Sequence, residues 1–128
     1  MPGERRNGMT GAATPIGSIT VREAWERLSD ERANPAPALI DVRETWEYAE
    51  GRARGAVSIP LSELRARYQE VPRDRDVFFI CHSGQRSFAA ARFLAQQGVT
   101  RVHNVEGGTE EWEAAALPMD RPTAGARG

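Results

Sequence analysis

Val77-Phe78-Phe79-Ile80-Cys81-His82-Ser83-Gly84-Gln85-Arg86-Ser87 begins apolar, stops at the only cysteine of the chain, and passes through small polar residues to an arginine. A short apolar run bounded by turn signals reads as a buried strand. From Ser87 the apolar residues Phe88, Ala91, Leu94 and Ala95 recur at helical spacing, which predicts a helix from Ser87 to about Gln97. Gly98 suits its C-terminal cap. The unit is therefore strand, tight loop and helix, with a lone thiol at the turn.

The flanking chain repeats this alternation. Upstream, Thr20-Val21-Arg22-Glu23 fits a capping box, and Val21, Ala24, Trp25 and Leu28 share one helical face to about Arg32. Ile19 starts a short edge strand, and Ala38 to Val42 reads as a buried strand. A helical stretch from Arg43 to Glu50 follows, then a turn over Gly51 to Gly55, a strand from Ala56 to Pro60 and a helix from Leu61 to Glu70. Downstream of the cysteine unit, Val99 to Val105 is a strand, Glu106-Gly107-Gly108 a loop, and Thr109 caps a last helix to Ala116. Residues 1–17 read as a loosely ordered arm, 18–120 as one domain, and 121–128 as a tail, with Pro118 onward irregular. Alternating strands and helices predict an α/β fold: a doubly wound sheet of about five mostly parallel strands with helices on both faces. Ligands of such sheets bind beyond the carboxyl ends of the strands. Cys81 follows one such end, and Asp41, Arg43 and the Gly107-Gly108 loop follow others.

Composition narrows the chemistry. A chain of 128 residues fits one domain with a real core. Its net charge of -1 gives no push toward nucleic acid or an anionic membrane surface, and no apolar run is long enough to span a bilayer. Arg5-Arg6 is not followed by the apolar segment of an export signal, so a cytoplasmic location is the default expectation. A single cysteine excludes an intramolecular disulfide and a multi-thiolate zinc site, and His82 and His103 form no ligand cluster, so no metal is expected.

A free thiol has a pKa near about 8.5, which a helix N-terminus and cationic neighbours lower. The helix after the loop supplies such an end, and loop amides from His82 to Ser87 can point inward as an anion-binding nest. Gly84 gives the positive φ that a curled loop needs. Arg86 is expected to add a permanent positive charge beside the sulfur. A small buried hydrophobe is the bland alternative for Cys81; the glycine, the arginine and the helix start favour a nucleophilic thiolate. His82 either tunes the thiol or is a plain loop residue. Asp41 and Arg43 read as supporting residues that fix a loop by pairing. Trp25, Trp46 and Trp112 read as core or pocket wall, and Glu110-Glu111 as a solvated face.

From Ile19 to Pro118 the chain resembles the single-domain rhodanese family of sulfurtransferases. The resemblance rests on Leu39-Ile40-Asp41-Val42-Arg43, Glu47-Tyr48, Gly51 with Gly55 to Pro60, then Cys81 with Gly84 and Arg86, and Glu106-Gly107-Gly108 with Trp112. Arg52 stands where the family usually carries histidine. The family implies that Cys81 is the catalytic nucleophile. Its thiolate attacks the outer sulfur of a donor such as thiosulfate, sulfite leaves, and a persulfide remains. His82, Ser83, Gly84, Gln85, Arg86 and Ser87 form the loop that holds it. A thiophilic acceptor then takes the sulfur: cyanide, a small thiol, or a protein. No further cofactor is implied. Cysteine-loop phosphatases and arsenate reductases share the fold, but their loop places five residues between cysteine and arginine. Here there are four, and the sixth position after Cys81 is Ser87. A tetrahedral phosphate needs a wider ring of amides than one sulfur atom. A rhodanese-like module that binds or carries sulfur without enzymatic turnover is the third possibility.

Overall fold

Chain order in the computed structural model, which describes residues 16–122, is a run of short strands each followed by a helix or turn. β1 (Gly17–Ile19) leads to α1 (Val21–Leu28), and β2 (Ala38–Asp41) to α2 (Thr45–Glu50). The brief β3 (Arg52–Ala53) and β4 (Val57–Ser58) precede α3 (Leu61–Arg67), which tightens into a 3-10 turn over Tyr68–Glu70. β5 (Val77–Ile80) feeds α4 (Gln85–Gln96), β6 (Val102–Val105) feeds α5 (Gly108–Ala114), and β7 (Met119–Asp120) closes the order.

Five strands form one sheet in the order β1-β6-β5-β2-β4, and every pairing in it is parallel. The expected α/β sheet is present, with β5 in the middle. Alternation along its strands divides the core in two. Ile40, Val42, Val77 and Phe79 pack with Leu64 of α3 and with Ala90, Ala91 and Leu94 of α4. Leu39, Phe78 and Ile80 point the other way, onto Val21 and Ala24 of α1 and Trp112 of α5. Strands buried on both faces have to be apolar at successive positions, which is why Val77 to Ile80 carries no polar residue. Trp25 and Trp112 meet edge to face at 6.1 Å in the second layer.

Local chemistry explains the helix ends. The capping box of α1 is formed: the Glu23 amide donates to Thr20 Oγ1 at 3.1 Å and the Thr20 amide to Glu23 Oε1 at 3.0 Å. This helix stops at Leu28, short of the expected Arg32, because the Ser29 hydroxyl donates to the Trp25 carbonyl and Asp30 takes the Arg32 amide.

Two expectations need correction. The segment read as a turn after Gly51 contains β3, and the segment read as an irregular tail contains β7. These pair with each other antiparallel, Arg52 with Asp120 and Ala53 with Met119. Each is too short to carry a periodic signal, and each exists because the other does. The Pro118 carbonyl anchors the pair by accepting from Trp112 Nε1 at 2.8 Å and from the Arg54 amide at 3.1 Å. At the other terminus Gly17 belongs to β1, so the domain starts one residue earlier than the expected arm allowed. Residues 1–15 and 123–128 lie outside the described residues. Among the described residues, no helix is long and apolar enough to cross a membrane.

Candidate active site

The parallel register puts Asp41 of β2 beside Ile80 of β5, so the chain segments that follow them leave the sheet at one edge. Cys81 is the first residue past β5 and is 1 % exposed. Gly84, at φ +107°, is the N-cap of α4, so the helix starts at Gln85, two residues before the expected Ser87. A residue with a side chain is strained at that φ, and glycine is not.

The sulfur is surrounded by donors. Cys81 Sγ accepts from the Gly84 amide at 3.1 Å and lies 3.2 Å from Ser87 Oγ. Burial pushes the thiol up, but hydrogen bonds from Ser87, Gly84 and Ser83 outweigh it, and the net shift is downward. The thiolate is favoured by short-range donors at the positive end of α4.

A second helix orients these donors. The Cys81 carbonyl accepts from the Thr109 amide at 2.7 Å and from Thr109 Oγ1 at 3.0 Å, and the His82 carbonyl accepts from the Glu110 amide at 3.0 Å. In a trans peptide the carbonyl and the next amide point in opposite directions. Turning these two carbonyls toward α5 therefore turns the His82 and Ser83 amides away from it, into the loop. Thr109 was expected to cap its own helix. Gly107 is the N-cap instead, and the Thr109 side chain serves the cysteine loop. The approach is close: a Cβ on Gly108 would lie 2.4 Å from the Cys81 carbonyl oxygen and 2.5 Å from that of His82.

Arg86 lies close enough to Cys81 for the two charges to interact, and it is also paired with another helix. The early helix start places it in the first turn of α4, and its guanidinium reaches α2. Nη1 and Nη2 meet Glu47 Oε1 and Oε2 at 2.8 and 3.0 Å. Glu47 Oε1 also accepts the Glu44 amide, closing the capping box of α2. The Arg86 pair, and secondarily that amide bond, hold the Glu47 carboxyl down at about 2 against the opposing pull of burial. The positive charge beside the loop is thus shared between Cys81 and the Glu47 carboxylate. Arg86→Ala should shift the pH profile of Cys81 alkylation less than Ser87→Ala does. The reverse order would restore Arg86 as the main thiol-activating group. The same pair has an acid signature. Glu47 has a folded pKa below its ordinary 4.5, so its contribution is complete above about 4.5 and fades as pH falls toward about 2. Urea midpoints measured at pH 6 and pH 3 should therefore fall further in the wild-type chain than in Arg86→Ala.

The other expected site residues separate into neighbours and supports. Asp41 and Arg43 are buried and form a closed pair: Arg43 Nε and Nη2 reach Asp41 at 3.0 and 2.8 Å, and Nη2 also donates to the Gly51 carbonyl at 2.7 Å. Among the described residues, none of these bonds touches the cysteine loop, so the pair fastens the chain between β2 and β3. Ser83 and Gln85 are exposed. His82 is exposed, with Nε2 4.0 Å from Glu110. Beside the loop lies an open groove of about 540 Å³, whose lining includes Arg43, Trp46, Glu47, His82, Thr109 and Met119. Trp46 is 65 % exposed, a wall of this groove and not a core residue. Arg52, where the family resemblance leads one to look for histidine, stacks over the Tyr48 ring at 4.7 Å.

Glu47, Asn104 and the Gly108 contact were not singled out as site features from the sequence. Asn104 had a visible signal, a side-chain amide in the short strand Val102 to Val105. Glu47 was visible only as part of the family resemblance, and its pairing was not, because its partner comes from a distant helix.

A thiol seated at the carboxyl edge of a parallel sheet, among amides turned inward by a neighbouring helix, places the molecule in the class of cysteine-loop α/β domains. The model of the Rhodanese-like domain matches residues 20–115, and the chain belongs to that family. A sulfurtransferase of Allochromatium vinosum is 39 % identical over 107 residues, covering 84 % of this chain and 97 % of that protein. The putative sulfur carrier protein YrkF of Bacillus subtilis is 42 % identical over 101 residues, 78 % of this chain but 52 % of its own length. Among solved structures, a rhodanese-related protein from Thermoplasma volcanium aligns with a TM-score of 0.71 at 34 % identity, covering 82 % of this chain and 98 % of its own.

Proposed function

We propose that the protein is a sulfurtransferase that carries a sulfane sulfur as a persulfide on Cys81. The supporting observation is the seat of the sulfur: a buried Sγ that accepts the Gly84 amide at 3.1 Å and sits 3.2 Å from Ser87 Oγ, in a thiol already shifted downward. The thiolate attacks the outer sulfur of a donor such as thiosulfate. A new S–S bond forms, the old one breaks with its electron pair on the departing sulfite, and an anionic persulfide remains. The amides turned in by Thr109 and Glu110 can hold that anion without reorganising. A thiophilic acceptor, cyanide or a thiol, then attacks the outer sulfur and restores the thiolate. No cofactor takes part.

The ring size opposes a phosphatase reading. With four residues between Cys81 and Arg86, and Arg86 committed to Glu47, the loop offers a phosphoryl group neither a wide cradle nor a free arginine. A carrier that hands its sulfur to a protein acceptor is the second reading, favoured by the similarity to YrkF. Intact-mass analysis separates these possibilities. After thiosulfate the protein should gain one sulfur atom, and cyanide should remove it with catalytic formation of thiocyanate. A single adduct that cyanide discharges only once, without turnover, supports the carrier. No adduct, together with hydrolysis of an aryl phosphate through Cys81, overturns both.

A further inference from the structure

Ser87 presents one hydroxyl to two partners. Its oxygen is 3.2 Å from Cys81 Sγ and 2.6 Å from Asn104 Oδ1, and both Ser87 and Asn104 are buried. Asn104 pairs in register with Phe79, so its side chain stands on the sheet face that α4 covers. A buried polar side chain on the face that α4 covers needs a reason.

Proton counting supplies one. A serine hydroxyl has one hydrogen to donate. In the arrangement observed, that hydrogen goes to Asn104 Oδ1. The contact with sulfur then requires the sulfur to donate, so this is the bonding of the neutral thiol: S–H to Ser87 Oγ, and Ser87 O–H to Asn104. A thiolate cannot donate. If the Ser87 hydrogen swings to the sulfur alone, Ser87 Oγ and Asn104 Oδ1 face each other at 2.6 Å with only lone pairs between them. Turning the Asn104 amide over removes this conflict, because Nδ2 then donates to Ser87 Oγ while Ser87 donates to sulfur. Every hydrogen bond is kept and the chain reverses direction, with the thiol proton leaving to solvent.

We propose that Asn104 is a positioning residue for the Cys81 nucleophile, its amide reversing to aim the Ser87 hydroxyl at the sulfur when the thiol ionises. The charged groups around the loop do not supply this function. Arg86 is held by Glu47 of α2, Asp41 by Arg43 at the end of β2, and His82 and Glu110 lie on the exposed side of the loop. The inference concerns ionisation of the thiol, and it stands or falls separately from the choice of thiosulfate as donor.

The test is the pH profile of Cys81 alkylation by iodoacetamide, which involves no sulfur transfer. Asn104→Asp keeps the acceptor and removes the amide donor, so Ser87 stays turned away from sulfur. Alkylation at pH 7 should slow about tenfold, the equivalent of one pH unit in the profile. Asn104→Leu removes the donor that aims Ser87 but does not hold its hydroxyl away from the sulfur, and should slow alkylation clearly less than Asn104→Asp does. In a Ser87→Ala background, Asn104→Asp should have at most a small further effect, because its route to the sulfur is gone. Two results overturn the proposal: equal slowing by Asn104→Asp with and without Ser87, which would mean plain charge repulsion, or equal slowing by Asp and Leu, which would mean a packing role. The wild-type chain offers a check that needs no stable variant. The side-chain amide resonances of Asn104 should titrate with the alkylation midpoint, and resonances that stay constant through it rule the reversal out.

Discussion

Cys81→Ser should lower persulfide formation and thiocyanate production to background while leaving the fold in place. The physical reason lies in ionisation and bonding. The loop shifts a thiol downward with hydrogen bonds from Ser87, Gly84 and Ser83 against the cost of burial. Those donors cannot bring an alkyl hydroxyl, which starts far higher, into the neutral range. Sulfane transfer also needs a sulfur that can form and release an S–S bond. The fold should survive because serine is nearly the same size and its hydroxyl can use the Gly84 amide and Ser87 Oγ as partners. Thermal unfolding should stay within a few degrees of wild type. Intact-mass analysis after thiosulfate, with a thiocyanate assay beside it, decides the matter. An adduct on the serine variant would place the chemistry elsewhere.

Gly108→Ala should be the most damaging change outside the cysteine itself. The backbone there has φ +60°, which costs an L residue with a Cβ roughly 1–2 kcal/mol. The added methyl would also overlap the Cys81 and His82 carbonyl oxygens at 2.4 and 2.5 Å. Neither neighbour is a flexible side chain. The carbonyls must rotate or α5 must withdraw, and either movement lets the amides around the sulfur drift. Displacements near 1 Å at a reacting centre cost about a hundredfold in rate. We expect sulfur transfer to fall by about that factor, alkylation at neutral pH to slow, and the unfolding midpoint to drop. A variant with lowered stability but wild-type alkylation and transfer would show that the α5 contact is architectural only.

These residues also mark what can be read without a structure. The sheet was legible because Ala38 to Ile40 and Val77 to Ile80 are apolar runs, a pattern set by burial on both faces. The loop was legible because Gly84 and Cys81 carry their meaning locally, one through backbone freedom and one through its sulfur. The pairing of Arg86 was not legible because it depends on where α4 begins. A start at Gln85 points it toward α2, and its partner Glu47 is thirty-nine positions away. Thr109 was misread for a related reason: its hydroxyl has a local use as a cap and a distant use on Cys81, and the distant one prevails. The β3–β7 pair escaped because two residues on each side carry no period. In each case the missing information is a contact between segments far apart in the chain.

The clamp from Thr109 and Glu110 has a further consequence in the order of synthesis. A growing chain completes β5, the cysteine loop and α4 before residues 107 to 110 exist. Until α5 arrives, the Cys81 and His82 carbonyls lack their partners, and nothing obliges the loop amides to face the sulfur. The loop is therefore expected to reach its final arrangement only when α5, the last helix among the described residues, has been made. A partly synthesised chain carries the thiol but not the environment that makes it reactive, so its single cysteine meets oxidants and stray sulfur donors as an ordinary side chain.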